Sequence, residues 1–184
     1  DEGAGYCVFN DVAVAAKHAL SKKTIKKVLI IDLDVHQGNG NSEIFKKDRS
    51  VFTFSMHCKS NYPAKKSKSD IDIDLKDGME DEEYLNILHK NLKELKIMLA
   101  NKKYSEIFKT ALNIGDDKLN ENIKYNEIEE WDSIGHMTLV AALEEEYKIT
   151  METDDIIDLS SFKKGIEILK KYNIKSISSG GTYK

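Results

Sequence analysis

Residues 28–40 read VLIIDLDVHQGNG, an apolar run that passes into two carboxylates, an imidazole and a glycine-rich turn. A short continuous apolar run ending in acidic residues is the pattern of a strand buried in a parallel sheet. Upstream, NDVAVAAKHAL has helical spacing, and downstream NSEIF precedes a second strand, SVFTFSMH. A Lys/Ser-rich loop with the only proline, Pro63, then leads into the alternating DIDIDL. From Glu80 to about Ala100 the sequence sets Leu85, Leu88, Leu92 and Leu95 on one helical face. Alternating helix and strand periods specify an α/β segment.

Beyond about residue 101 the strand signals stop. YSEIFKTALNI reads as a separate helix, followed by the polar loop GDDKLNENIKYNEIEEW. Ser133 to Tyr147 is an amphipathic helix, ETDDIID a short acidic turn, and SSFKKGIEILKKY a last helix. Four helices, one very short, make an all-α four-helix bundle. The expected organisation is a partial α/β segment over 1–98, a helical domain over 99–174 and a flexible tail over 175–184.

Of the 184 residues, 40% are hydrophobic and 33% charged, which fits soluble globular protein rather than disorder. No apolar run approaches the roughly 20 residues that span a bilayer. The opening DEGAGYCVFN has neither a basic segment nor an apolar signal core, so a cytoplasmic location and no membrane partner are expected. It also lacks a starting Met, as a fragment or processed chain would. Cys7 and Cys58 lack metal-ligand spacing and read as reduced thiols. Residues 1–97 carry 16 basic and 16 acidic side chains, whereas 98–184 carry 12 and 16. The net charge of −4 therefore lies in the second region and argues against nucleic acid as its partner.

On a strand, Asp32, Asp34 and His36 share one face, at the carboxyl end where α/β sheets place their sites. A carboxylate and an imidazole two residues apart suit Zn²⁺ or Fe²⁺, given a third ligand and an open position. Asp32, one step deeper, would orient a neighbour by hydrogen bonding. The alternative is an ion pair capping the strand, and spacing alone leaves both open. The carboxylates of Asp70, Asp72 and Asp74 share a face too, and read as a solvated edge strand rather than a cation site. The GNG lacks the spacing of a phosphate loop.

GYCVFNDVAVAA, VLIIDLDVHQGNGNSEIF, VFTFSMH and DEEYLNIL, in this order and spacing, resemble the histone deacetylase and acetoin-utilisation family. The glutamine in DVHQGNG resembles the class IV branch. The resemblance covers residues 1 to about 97 and implies an arginase/deacetylase-type fold. It also implies a zinc amidohydrolase acting on acetyl-lysine or a related acylated amine. By this match Asp34 and His36 are metal ligands and Tyr6 lines the acyl channel. Asp32 and Ser55 help form the family's buried monovalent-cation site. The family's paired histidines fall before the segment matching DEGAGYCVFN. Its third metal ligand and transition-state tyrosine fall well after DEEYLNIL, where this chain has helices instead. His18, His57, His89 and His136 are scattered, with His57 expected in a packed role and His89 in solvent. Catalytic groups act as a unit and zinc affinity depends on ligand count, so no complete catalytic set and no turnover by this chain alone are expected. Zinc would be held weakly.

Ile107 to Tyr172 resembles the acyl carrier protein family. WDSIGHMTLVAALEEEYKI matches the signature in which a serine after aspartate carries 4′-phosphopantetheine, and the acidic turn and last helix match in order and length. The match implies covalent attachment at Ser133, with Asp132 helping a phosphopantetheinyl transferase engage its Mg²⁺–coenzyme A complex. It implies that Glu144 and Glu145 face basic patches on acyl-transferring biosynthetic enzymes, with His136 and Met137 near the contact. From the residues alone, a serine here is ordinarily an N-cap, and free N–H groups at a helix N-terminus favour a phosphodiester. The expected function is an acyl carrier, holding acyl groups as thioesters, fused to a truncated deacetylase-like segment. The alternative is a zinc deacetylase completed by groups supplied elsewhere.

Overall fold

In the computed structural model, which describes residues 7–174, 176 and 177, α1 (Asp11–Ser21) starts at the N-cap Asn10, whose side chain accepts the Ala13 N–H. β1 (Val28–Asp32), α2 (Asn39–Phe45), β2 (Val51–Cys58) and β3 (Ile71–Leu75) follow. The strands form a parallel sheet in the order β1-β2-β3. Asp32 lies opposite Ser55, and Ser55 in turn lies opposite Asp72. Residues 53–57 of the middle strand are all buried, as expected of a strand paired on both edges. Ala13, Ala16, Ile30, Phe45 and Val51 form a small apolar cluster joining α1, β1, α2 and β2. Leu29 and Ile31, on the opposite face of β1 from Ile30, remain 40% and 42% exposed. A small parallel sheet with flanking helices fits part of an arginase/deacetylase-like fold.

β1 ends at Asp32, so the expectation of Asp32, Asp34 and His36 on one strand face is corrected. The reason is local. The Asp32 carboxylate accepts the Asp34 N–H at 3.2 Å, and Asp34 accepts the His36 N–H at 2.8 Å. Short acidic side chains here take backbone donors that an extended strand would leave free.

α3 (Asp81–Leu112) is one continuous helix of 32 residues, which corrects the expectation of two helices parted near Ala100. Between Ile97 and Tyr104 there is no glycine or proline to stop it. The chain divides into two compact units, Asp1–Leu88 and His89–Lys184, so the division falls inside α3. That point lies upstream of the composition change near 98–101.

The second unit adds α4 (Ser133–Tyr147), α5 (Thr153–Asp158) and α6 (Phe162–Lys171). Tyr104, Phe108 and Leu112 of α3 share one core with Leu139, Val140 and Leu143 of α4, Ile166 and Leu169 of α6, and Trp131 before α4. The Phe108 ring centre lies 4.9 Å from Phe162, 5.0 Å from Tyr104 and 5.3 Å from Trp131, in the tilted and edge-on arrangements aromatic quadrupoles favour. Gly165 lets α6 come this close: a Cβ there would sit 2.0 Å from Tyr104 Oη and 2.8 Å from Leu159 Cδ1. Tyr104 Oη donates to the Phe162 carbonyl at 3.0 Å. Asp155 ties α5 to the end of α6, accepting from Lys171 at 2.5 Å and Tyr172 at 2.8 Å. Ile177 is buried in the same core. The rest of the expected tail, apart from Ser176, lies outside the described residues.

Candidate functional site

The carboxyl end of the sheet gathers several predicted residues. Beyond β1, Asp34 and His36 bond to each other, His36 Nδ1 to Asp34 Oδ1 at 2.9 Å, with side chains 64% and 48% exposed. The His36 backbone N–H, more than its ring, holds the Asp34 carboxyl below the usual carboxylate range. Asp32 accepts from Asn41 Nδ2 at 3.3 Å through its second oxygen. Gly38 fits against this carboxylate, since a Cβ there would lie 2.3 Å from Asp32 Oδ2. The Gly38 N–H donates to Ser55 Oγ at 3.1 Å, so Asp32 and Ser55 meet around one glycine. Ser55 Oγ is also 3.0 Å from Nδ1 of His57, which is buried in β2 as expected of a packed histidine. His57 Nε2 lies 3.4 Å from Asp74.

β3 is an edge strand, as expected, with Asp70 and Asp74 exposed, and its carboxylates also bond within the unit. Asp70 accepts from the Thr53 N–H at 2.8 Å and from its hydroxyl at 3.0 Å. Asp72 accepts from Gln37 at 2.9 Å and from the Ser69 N–H at 2.9 Å. Asp74 pairs with Lys59 at 3.1 Å. Gln37, which carried no structural role in the sequence reading, is buried and grips Ser67 twice. Its Nε2 donates to the Ser67 carbonyl at 3.0 Å, and its Oε1 accepts the Ser67 N–H at 2.7 Å. A lone buried amide in a polar turn leaves no periodic signal by which to find it.

In the helical unit, Asp132 Oδ1 accepts the N–H groups of Ile134 at 2.9 Å and Gly135 at 2.8 Å. Asp132 is therefore the N-cap and Ser133 the first helical residue, so the capping ordinarily done by a serine here falls to its neighbour. The carboxylate has the advantage of charge beside the positive helix end. It also takes two of the N–H groups expected to be free for a phosphodiester. Ser133 is exposed, and its Oγ lies 3.1 Å from Tyr125 Oη. Tyr125 sits in the loop eight residues earlier, and no spacing rule marks it.

Around Ser133 the remaining predicted residues divide. His136 is half-buried: Trp131 Nε1–H donates to its Nδ1 at 3.3 Å, and its Nε2–H donates to the Ile156 carbonyl at 2.9 Å. Met137 is 54% exposed, beside the α4 residue Ile134 at 77%, and Ile157 of α5 is 74% exposed. Glu144 is half-buried and accepts the Met151 N–H at 2.7 Å. Glu145 is exposed, and Glu146 pairs with Lys103 at 2.5 Å.

The family profile described as Histone deacetylase domain matches residues 1–101. The chain belongs to the histone deacetylase family. An uncharacterized protein of Picosynechococcus sp. is 46% identical over 93 residues, covering 50% of this chain and 31% of that one. Histone deacetylase 14, chloroplastic, of Arabidopsis thaliana is 45% identical over 67 residues, 36% of this chain and 16% of that one. A polyamine deacetylase of Rattus norvegicus is 53% identical over 53 residues, 29% of this chain and 9% of that one. The solved HDA15 HD domain aligns with a TM-score of 0.33 and 43% identity over 35% of this chain and 20% of that one. The matches therefore span less than a third of these curated relatives.

Membership of the histone deacetylase family implies zinc. Among the described residues, no group of three or more His, Cys, Asp or Glu side chains is placed to hold a metal ion. Asp34 and His36 bond to each other in the open with no third donor beside them among the described residues, so these two do not by themselves complete a zinc site. Tyr6, expected to line the family's acyl channel, lies outside the described residues. Among the described residues no helix is long and apolar enough to cross a membrane.

Proposed function

We propose that residues 99–174 are an acyl carrier domain bearing 4′-phosphopantetheine on Ser133, joined to a histone deacetylase family segment. One observation carries the reading: Asp132 does the capping, so the Ser133 hydroxyl is exposed and spared for modification. When attached, the prosthetic group supplies a thiol that holds an acyl group as a thioester. The chain's own residues present and dock. Ile134 and Met137 of α4 and Ile157 of α5 offer exposed apolar contacts. Asp154, Asp158 and Glu145 add exposed acidic groups, suited to a basic patch on a transferase or a biosynthetic enzyme. In this reading Glu144 contributes field rather than direct contact, because it holds Met151. His136 holds α5 against α4 beneath the docking face. The domain acts in the cytoplasm, on protein partners, with no nucleic acid or membrane involved.

Incubating the chain with a phosphopantetheinyl transferase and coenzyme A should add one prosthetic group by intact mass, and Ser133→Ala should abolish the gain. An unchanged mass for the parent chain would sink the reading.

The family membership favours a second reading, zinc-dependent deacetylation of acetyl-lysine or a related acylated amine. In it Asp34 and His36 contribute two of the metal ligands, Tyr6 lines the acyl channel, and Asp32 with Ser55 holds a monovalent cation. That reading needs further ligands and a general base from elsewhere. Metal analysis and a fluorogenic acetyl-lysine assay test it: stoichiometric zinc with turnover lost in Asp34→Asn would revive it.

A further inference from the structure

We infer that Tyr125 is a positioning residue for Ser133, fixing the direction in which the serine hydroxyl faces an incoming transferase. The inference rests on the carrier reading above and goes beyond the attachment serine itself. A first-turn serine with no capping duty is free to sample its staggered rotamers. Ser133 has no such duty, because Asp132 takes the Ile134 and Gly135 N–H groups. Its Oγ instead meets Tyr125 Oη at 3.1 Å.

The phenol is itself held from three sides. The Tyr125 N–H donates to the Ser160 carbonyl at 3.0 Å, beside the bridge between Lys124 and Ser161. Its ring lies edge-on to His136 at 5.0 Å and 67°, and to Trp131 at 6.4 Å and 78°. Trp131 is fully buried, and His136 is fixed by hydrogen bonds at both ring nitrogens. The hydroxyl at the tip of this ring is therefore a stationary partner, and a hydrogen bond to it favours one serine rotamer.

In the transfer, Ser133 Oγ attacks the pantetheine-side phosphorus of coenzyme A. The new O–P bond forms as the pyrophosphate P–O bond breaks, and adenosine 3′,5′-bisphosphate leaves with the electron pair. The serine proton passes to the transferase or to water. Tyr125 forms no bond in this step; it raises the fraction of bound complexes in which Oγ already holds the rotamer set by the hydrogen bond.

The test uses the whole chain with a broad-specificity phosphopantetheinyl transferase, Mg²⁺ and coenzyme A, comparing the parent, Tyr125→Phe and Ser133→Ala. The phenylalanine keeps the ring stack and removes only the hydroxyl. Loss of one such hydrogen bond should lower kcat roughly three- to tenfold. KM for the chain and the melting temperature should stay unchanged, and the final added mass should equal that of the parent. Scalar couplings at the Ser133 β-protons should move toward rotamer-averaged values. Equal kcat in the parent and Tyr125→Phe overturns the inference while leaving the carrier reading intact. A slower Tyr125→Phe with raised KM and a lowered melting temperature assigns the tyrosine to packing and also overturns it. A parent chain that gains no mass at Ser133 overturns both.

Discussion

The two units bury their apolar side chains to very different extents. Among the described residues, the helical unit places sixteen buried hydrophobic residues in one cluster, drawn from α3, α4, α6, the connections between them and Ile177 beyond α6. Among the described residues, the α/β unit's apolar cluster has five buried members, two of them alanines, with Phe54, Met56 and Leu75 buried outside it. Val8, Phe9, Val14, Val35 and Ile44 all remain exposed. Full burial of a large apolar side chain contributes about 1.5–3 kcal/mol, so cluster size decides which unit is held by its core. The α/β unit relies more on polar stitches: Asp70 to Thr53, and Gln37 to Ser67 and Asp72. A net contribution of about 0.5–1.5 kcal/mol each makes these a weaker form of cohesion. The lesson is that the two units should fail by different routes.

The largest expected effect comes from removing the aromatic centre of the helical core. Trp131→Ala should cost about 3–5 kcal/mol. Native-state hydrogen exchange should then show protection lost in α4 and α6 but retained in β2. Equal loss in β2 would break the comparison. Gly165→Ala, which places a methyl group against Tyr104 Oη, should cost about 1–3 kcal/mol by overpacking. Denaturant unfolding with an unchanged midpoint would mean that α6 can shift at no cost.

Smaller effects sharpen the contrast. Burial pushes the Tyr147 hydroxyl up to about 12, and among the described residues that buried oxygen has no hydrogen-bond partner. Tyr147→Phe should therefore stabilise the helical unit by up to about 1 kcal/mol, read from its melting midpoint. In the α/β unit, Lys17 first and Ser50 second hold Asp48 down at about 2, against an ordinary 3.8. A depressed carboxyl stabilises above its unfolded pKa and loses that contribution as pH falls through the folded one. The acid limb of the α/β unit between about pH 4 and pH 2 should flatten slightly in Asp48→Asn, while that of the helical unit stays unchanged.

Much of the helical unit was legible because its signals are local and redundant. Helical spacing and a flanking aspartate place α4 at Ser133–Tyr147, where the structure has it. The assignment of the cap between Asp132 and Ser133 was not legible, since both residue types serve and only the geometry distinguishes them. In the α/β unit, the apolar run did specify β1, but the alternation carried the strand too far. The Asp32 and Asp34 carboxylates capture backbone N–H groups beyond it, a competition that hydrophobic period does not register. The separate helix expected over YSEIFKTALNI is instead the continuation of α3, because the change of composition brings no helix-breaking residue with it. For the metal residues, a pair spaced like ligands says nothing about a third donor, which depends on tertiary placement.

The Gln37 clasp has a consequence for proteolysis. It grips the backbone of Ser67 on both sides, and Ser67 stands between Lys66 and Lys68 in a lysine-rich loop of the α/β unit. A trypsin-like protease must draw several residues around its scissile bond into an extended form, so it cannot cut there while the amide holds. Cleavage after Lys66 therefore waits on the clasp opening, and its rate reports how often one side chain lets go.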